Sequence, residues 1–266
     1  MSAPLLVLVG ALLTWWTWEH GAFFGTVFYP GAIVTFGVLA VLLWATPLGA
    51  RVAGPARIAL LGLTLLGAWT LAASLWSPAP SVAFADVAKG LTYAALFAIG
   101  IWTCRLLSDR VSLALAPVAV TGLLIGIGTV ITLATGHDVG SYVHVDDATL
   151  RFPIGYRNAE AAFLFICTFA LLALAVEERT SWPLRAVMLA GITMLVELNA
   201  LAQSRGSLPA AAAALVVYLI LSPHRLRPTV YLVLAVAPAA IALPTLLDVY
   251  RQGFGPDTLS LLRSSA

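Results

Sequence analysis

The sequence predicts an all-α fold, a polytopic transmembrane helix bundle of about nine spans, and composition together with run length carry that prediction. Of 266 residues, 61% are hydrophobic and 10% are charged, whereas soluble domains carry about 25% charged residues. Mean hydropathy is +0.98. The apolar residues gather in runs of roughly 17 to 22 positions, the length that crosses about 30 Å of hydrocarbon. A soluble core would alternate an apolar face with a polar one. These runs are apolar all round, so helices and not a barrel follow.

The first span, near residues 3–18, has no basic segment before Leu5 and no small-residue cleavage pattern after Trp18, so it reads as a retained helix. Trp15, Trp16 and Trp18, beside Glu19 and His20, have the composition of an aromatic belt at the headgroup level. Spans near 30–48 and 58–76 follow. Pro78-Ala79-Pro80-Ser81, continuing through Val82, Phe84, Asp86 and Val87 to Lys89, reads as an outer interfacial segment dipping into a fourth span near 89–103. In the fifth span, near 111–134, Gly122, Gly126 and Gly128 have the small-residue spacing that lets helix backbones approach.

The next loop holds His137 and His144 with Asp138, Asp146 and Asp147. That spacing matches no helical pair and no ligand pattern, so a solvated loop is expected and no metal. Four further spans lie near 158–176, 186–203, 208–222 and 229–246. Residues 1–246 then form the transmembrane helical domain, and 247–266 an outer-face tail that reads as the start of a larger outer loop. Cys104 and Cys167 have neither metal-ligand company nor an expected disulfide.

Lysine and arginine in the short loops orient the bundle. With the amino terminus cytoplasmic, Arg51, Arg57, Arg105, Arg110, Arg179, Arg185, Arg225 and Arg227 fall inside, eight of the 14 basic residues. Lys89, Arg151, Arg157, Arg205, Arg251 and Arg263 fall outside. The net charge of +2 comes from scattered loop anchors and forms no basic, aromatic-interleaved stripe, which argues against nucleic-acid binding.

Two polar notches interrupt the apolar runs on that outer side. Gln203-Ser204-Arg205-Gly206-Ser207 separates two spans, and Arg151-Phe152-Pro153-Ile154-Gly155-Tyr156-Arg157-Asn158 opens the run before them. Intramembrane arginine is costly and therefore marks candidate function. Its planar fork stays charged and matches phosphate oxygens bidentately. Gly206 is expected to break the helix and let a large polar group approach the backbone. The following helix start adds amides that suit an anion. In the first notch, Asn158 or Arg157 is expected to cap the next span, with Glu160 as a first-turn carboxylate favouring its dipole. Arg151 and Arg205 are expected to line one outward cavity open to lipid. Glu197 and Asn199, inside the seventh span and leading toward Arg205, are expected to face the bundle interior, with Glu197 paired or protonated.

The order of these motifs resembles the O-antigen ligase and polymerase superfamily. Arg151, Pro153-Ile154-Gly155-Tyr156, Asn158-Ala159, a span, a short loop, a span ending Gln203-Ser204-Arg205-Gly206 and the outer Leu75-Trp76-Ser77-Pro78 segment carry the resemblance. It implies a membrane glycosyltransferase of the GT-C type in the bacterial plasma (inner) membrane, with no nucleotide sugar, cofactor or required metal. Its partners would be a glycan linked to undecaprenyl diphosphate and an acceptor glycan or glycolipid. Arg205 and Arg151 would grip the diphosphate as catalytic residues, with Arg157, Asn158, Ser204 and Glu197 around the substrate.

Two features depart from the family. The position of Arg157 is usually uncharged there, and a long outer loop with a histidine follows the ninth span, whereas the stretch after Leu246 here holds no histidine. The chain is therefore expected to be the amino-terminal part of such an enzyme and to transfer nothing alone, with Glu197 and Asp86 as fallback bases. The alternatives are a secondary transporter or lipid-binding subunit for an anionic or lipid-linked substrate, and an inactive truncated remnant. An inverted internal repeat would favour transport, and none is found.

Overall fold

The computed structural model describes residues 2–45, 54–135, 143–144, 149–222 and 224–252. Every backbone amide and carbonyl in hydrocarbon needs a partner within its own segment, so the apolar runs close into helices. Nine α-helices lie among the described residues: α1 Ser2–Trp18, α2 Gly25–Ala45, α3 Gly54–Ala73, α4 Pro80–Leu106, α5 Ala116–Thr135, α6 Arg157–Val176, α7 Trp182–Ala202, α8 Ser207–Leu221 and α9 Leu226–Gln252. Seven helices are long and apolar enough to cross a membrane, while Ala3–Trp18 and Ser207–Leu221 are shorter apolar helices.

Several boundaries differ from the sequence reading for local reasons. The segment expected to lie at the interface after Pro78 is helical from Pro80 and continuous with its span. Proline costs nothing in the first turn, where its missing N–H has no partner to lose. Asp86 and Lys89 then pair across one turn at 3.8 Å, so the polar residues ride on the helix surface. α2 starts before Pro30, which therefore lies inside it. α9 holds Pro238 and Pro244 and runs past Leu246 to Gln252. Residues Ser108–Leu115 form a 3₁₀ helix ahead of α5.

The chain divides into two compact units. In the first, Met1–Leu5 with Phe24–Ala114, α4 packs against both α2 and α3. Gly67 permits the α3–α4 approach, since a Cβ there would lie 3.1 Å from Leu91 Cδ2.

The second unit, Leu6–Phe23 with Leu115–Ala266, is centred on the antiparallel pair α6 and α7, against which α5 and α9 pack. Leu164, Leu171, Leu172, Ile192 and Leu195 are among its most deeply buried side chains. Between membrane helices, small residues allow the close backbone approach that packing requires. A Cβ on Gly122 would collide with Cys167 Cβ, one on Gly126 with Met194 Cε, and one on Gly191 with Leu123 Cδ2. Gly128 serves the same purpose for Trp18, whose ring would lie 2.6 Å from a Cβ there. The three glycines singled out in the fifth span thus act in packing.

At one end of the α6–α7 pair, Arg185 closes the connection. Its Nε donates to the Ala175 carbonyl at 2.9 Å, and its Nη2 donates to the carbonyls of Glu177 at 3.2 Å and Thr180 at 3.0 Å. Those are carbonyls at and beyond the carboxyl-terminal end of α6, which lack partners within the helix. The guanidinium lies 5.5 Å from the Tyr231 ring centre, with Arg227 at 5.9 Å from the same ring.

The other end carries a short hairpin within the segment expected to be a solvated loop. β1 Val143–His144 pairs antiparallel with β2 Thr149–Leu150. Two-residue strands are too short to show a periodicity. His137, Asp138, Asp146 and Asp147 lie outside the described residues, and among the described residues no histidine, cysteine and carboxylate group has the arrangement of a metal site.

Candidate functional site

The first notch is a compact turn held from several sides. Gly155 has φ 87, a left-handed conformation that a side chain resists, and the turn leads from β2 into α6. Phe152 stacks edge-on against Trp18, with ring centres 5.3 Å apart. Ile154 packs over Gly21, where a Cβ would stand 3.2 Å from its Cγ2. From below, the Ile154 amide donates to Glu160 Oε2 at 3.2 Å.

Glu160 is therefore a clasp for this turn. It is 1% exposed, and its Oε1 has no hydrogen-bond partner among the described residues. Glu160 does lie in the first turn of α6, where a carboxylate favours the helix dipole, and its burial adds the hold on the turn. The rule that singled out Glu197, an acid inside an apolar run, applied equally to Glu160.

The second notch breaks at a different residue from the one expected. α7 ends on Gln203, which takes the left-handed conformation at φ 50 and ψ 37, and its side-chain amide donates to the Ala200 carbonyl. Gly206 has φ −75, which any residue adopts, and a Cβ there would meet nothing within 4 Å. So Gly206 contributes open space beside the backbone, while Gln203 makes the bend. α8 restarts at Ser207, whose hydroxyl donates to the Ser204 carbonyl at 2.9 Å.

The two notches meet. Ser204 Oγ donates to Asn158 Oδ1 at 2.9 Å, across 46 positions of sequence. Asn158 Nδ2 donates in turn to the Tyr156 hydroxyl at 2.6 Å. One turn deeper, Asn199 Nδ2 donates to the Ala161 carbonyl at 2.9 Å. Asn158 therefore bridges the notches and does not cap α6. The N-cap position is Tyr156, with no side-chain capping bond, and Arg157 is the first helical residue.

Beside this junction lies a cavity of about 790 Å³, bounded by α6, α7, α8 and α9, within the range of about 300–1,000 Å³ typical of ligand sites. Its walls include Phe165, Phe169, Leu208, Leu215 and Val236, and its polar groups are Thr168, Asn199, Gln203, Ser204 and Arg205. Three of those five are at the α7–α8 break, and Asn199 is one turn before it. The space exists because α8 stands away from the bundle: Ser207 is its one buried residue, while Val216, Ile220 and Leu221 are exposed. An apolar chamber with polar groups and a cation concentrated at one end suits an amphiphile with an anionic head.

The expected site residues separate into distinct environments. Arg205 is exposed and lines the cavity; it makes no hydrogen bond or ion pair with a described residue. Ser204 is buried and joins the notches. Arg151 is half-buried, with Nε donating to Thr149 Oγ1 at 3.4 Å, and Arg157 is exposed. Neither lines this cavity, so of the two arginines expected to share it only Arg205 does.

Glu197 is half-buried. It lies off the α7 face that presents Val196, Asn199, Ala200 and Gln203 to the cavity. Of the two states expected for it, paired or protonated, pairing is not made with any described residue. Asp86, the other fallback base, belongs to the first unit. Compared with protein families, curated proteins and solved structures, the chain matches none of them.

Proposed function

We propose that the chain belongs to a membrane glycan ligase or polymerase that moves a glycan from an undecaprenyl-diphosphate carrier to an acceptor sugar hydroxyl at the outer face of a bacterial plasma membrane. The observation that carries this reading is the Ser204–Asn158 hydrogen bond of 2.9 Å, which unites two arginine-bearing notches at the polar end of an apolar chamber. A polyprenyl tail needs apolar walls while its diphosphate needs fixed positive charge. Arg205, whose donors meet no described residue, supplies that charge next to the junction.

In such a transfer the acceptor oxygen bonds to the anomeric carbon as the bond from that carbon to the diphosphate breaks. The departing diphosphate keeps the electron pair, and the acceptor proton passes to a base. Guanidinium charge placed where the negative charge grows lowers the barrier. No carboxylate or histidine is among the residues lining the cavity. That observation favours a second reading, a lipid-binding subunit or transporter that holds the same anion without transferring anything.

Replacement of Arg205 in cells that depend on the protein tests whether it holds the anion, which both readings require. Arg205→Lys keeps the charge but not the bidentate fork, and loss of about 2–3 kcal/mol slows transfer roughly 30- to 150-fold. The expected result is accumulation of undecaprenyl-diphosphate-linked glycan with loss of mature conjugate. Unchanged conjugate in both Arg205→Lys and Arg205→Ala at equal expression would mean that Arg205 only anchors the chain at the interface.

A further inference from the structure

We infer that the Tyr156 hydroxyl is a further donor for the bound diphosphate, aimed by Asn158 and acting alongside Arg205; this rests on the anion reading of the site. A phenol has one proton to donate and oxygen lone pairs to accept with. At Tyr156 the accepting side is occupied, since Asn158 Nδ2 donates to the hydroxyl at 2.6 Å. The amide is itself oriented, because its Oδ1 receives the Ser204 hydroxyl at 2.9 Å. A chain therefore runs from Ser204 through Asn158 to Tyr156, every link pointing the same way, and the Tyr156 proton is what remains to be given. Accepting one hydrogen bond makes a hydroxyl a stronger donor.

The location fits a ligand and not a core role. Tyr156 is 58% exposed, so its hydroxyl needs no internal partner to satisfy it. Ser204, the origin of the chain, lines the cavity with Arg205, its neighbour in sequence at one Cα step of about 3.8 Å. Gly206 adds open space on the same side. Tyr156 stands outside the lining of the chamber, linked to Ser204 through the Asn158 amide, so its proton is given to a head group that projects from the chamber past Arg205. Such a donor distinguishes a charged head group from the neutral alcohol of the same chain length.

The test uses the full chain in detergent, with farnesyl diphosphate, inorganic diphosphate and farnesol as probes in calorimetric titration. Tyr156→Phe keeps the ring and is expected to bind both diphosphate probes roughly tenfold or more weakly, the worth of a hydrogen bond to a charged group, with farnesol unaffected and thermal unfolding unchanged. Loss for farnesyl diphosphate alone assigns the hydroxyl to a lipid-borne head group and also supports the inference. Asn158→Ala is expected to produce part of the loss, and the double variant no more than Tyr156→Phe alone, because the amide acts through the hydroxyl. Wild-type affinity in Tyr156→Phe, with binding abolished in Arg205→Ala, overturns the role of Tyr156 and leaves the anion site standing. A wild-type chain that binds farnesyl diphosphate no better than farnesol overturns both.

Discussion

Arg185, in the first turn of α7, and Arg205, just past its last turn, are used in opposite ways. Arg185 spends its donors on the carbonyls of Ala175, Glu177 and Thr180 and lays its guanidinium over Tyr231. Arg205 lies exposed at the mouth of an apolar chamber with no described partner. Both are arginines next to an apolar span, and a count of charges treats them alike. What separates them is whether the fold consumes the guanidinium fork or leaves it for something else to fill.

If the two ends of α7 lie on opposite faces of the membrane, a single cysteine placed at position 205 in a chain without native cysteines is labelled by an impermeant thiol reagent from outside intact cells. A cysteine at position 225 is not. The difference is all or none, and reversed labelling would invert the orientation of the bundle while leaving the comparison of the arginines intact. The next effect in size is on stability. Arg185→Ala takes the guanidinium donors from the Ala175, Glu177 and Thr180 carbonyls, of which Glu177 keeps the Thr180 amide, and is expected to cost about 2–3 kcal/mol in unfolding. Arg205→Ala should cost less than about 0.5 kcal/mol, as at other surface positions away from such features. Equal losses in the two variants would remove the distinction drawn here.

Smaller effects probe the notch end itself. Glu160→Gln keeps an oxygen for the Ile154 amide, whereas Glu160→Leu removes it. Hydrogen exchange at that amide should stay near wild type in the first variant and accelerate about fivefold in the second, the worth of one net hydrogen bond of about 1 kcal/mol. No difference between the variants would show that Glu160 does not hold the turn. Gly206→Ala is expected to have the smallest effect on folding, within about 0.5 kcal/mol, because its φ of −75 is ordinary and its Cβ direction is open. If a bulky head group comes against that backbone, the same variant weakens binding of farnesyl diphosphate without altering unfolding.

Much of the site was readable as residue types in order. Arg205, Ser204, Arg151 and Asn158 stand out because polar groups are expensive beside apolar runs, and small residues at Gly122 and Gly126 announce helix contact. Their roles were not readable to the same depth. Asn158 looks like a cap until Ser204 is seen to donate to it across 46 positions. Gly206 looks like the helix breaker until Gln203 is found in the left-handed conformation. Trp18 has the composition of a belt residue, and its contacts with Phe152 and Gly128 also make it a support of the first notch.

Hydrophobicity is a property of each residue summed along a run, so the sequence alone determined that this chain forms apolar helices, roughly where they lie, and where polar groups interrupt them. Proximity is different, because a hydrogen bond or a cavity depends on which helix faces meet, and that is decided by packing between segments far apart in the chain. The tertiary structure alone therefore decided that the two notches join through Ser204 and Asn158, that Glu160 is sealed beneath the first of them, and that α8 stands off to leave a chamber ending at Arg205. The physical reason is that a side chain's donors are committed only once its neighbours are in place, as the contrast between Arg185 and Arg205 shows.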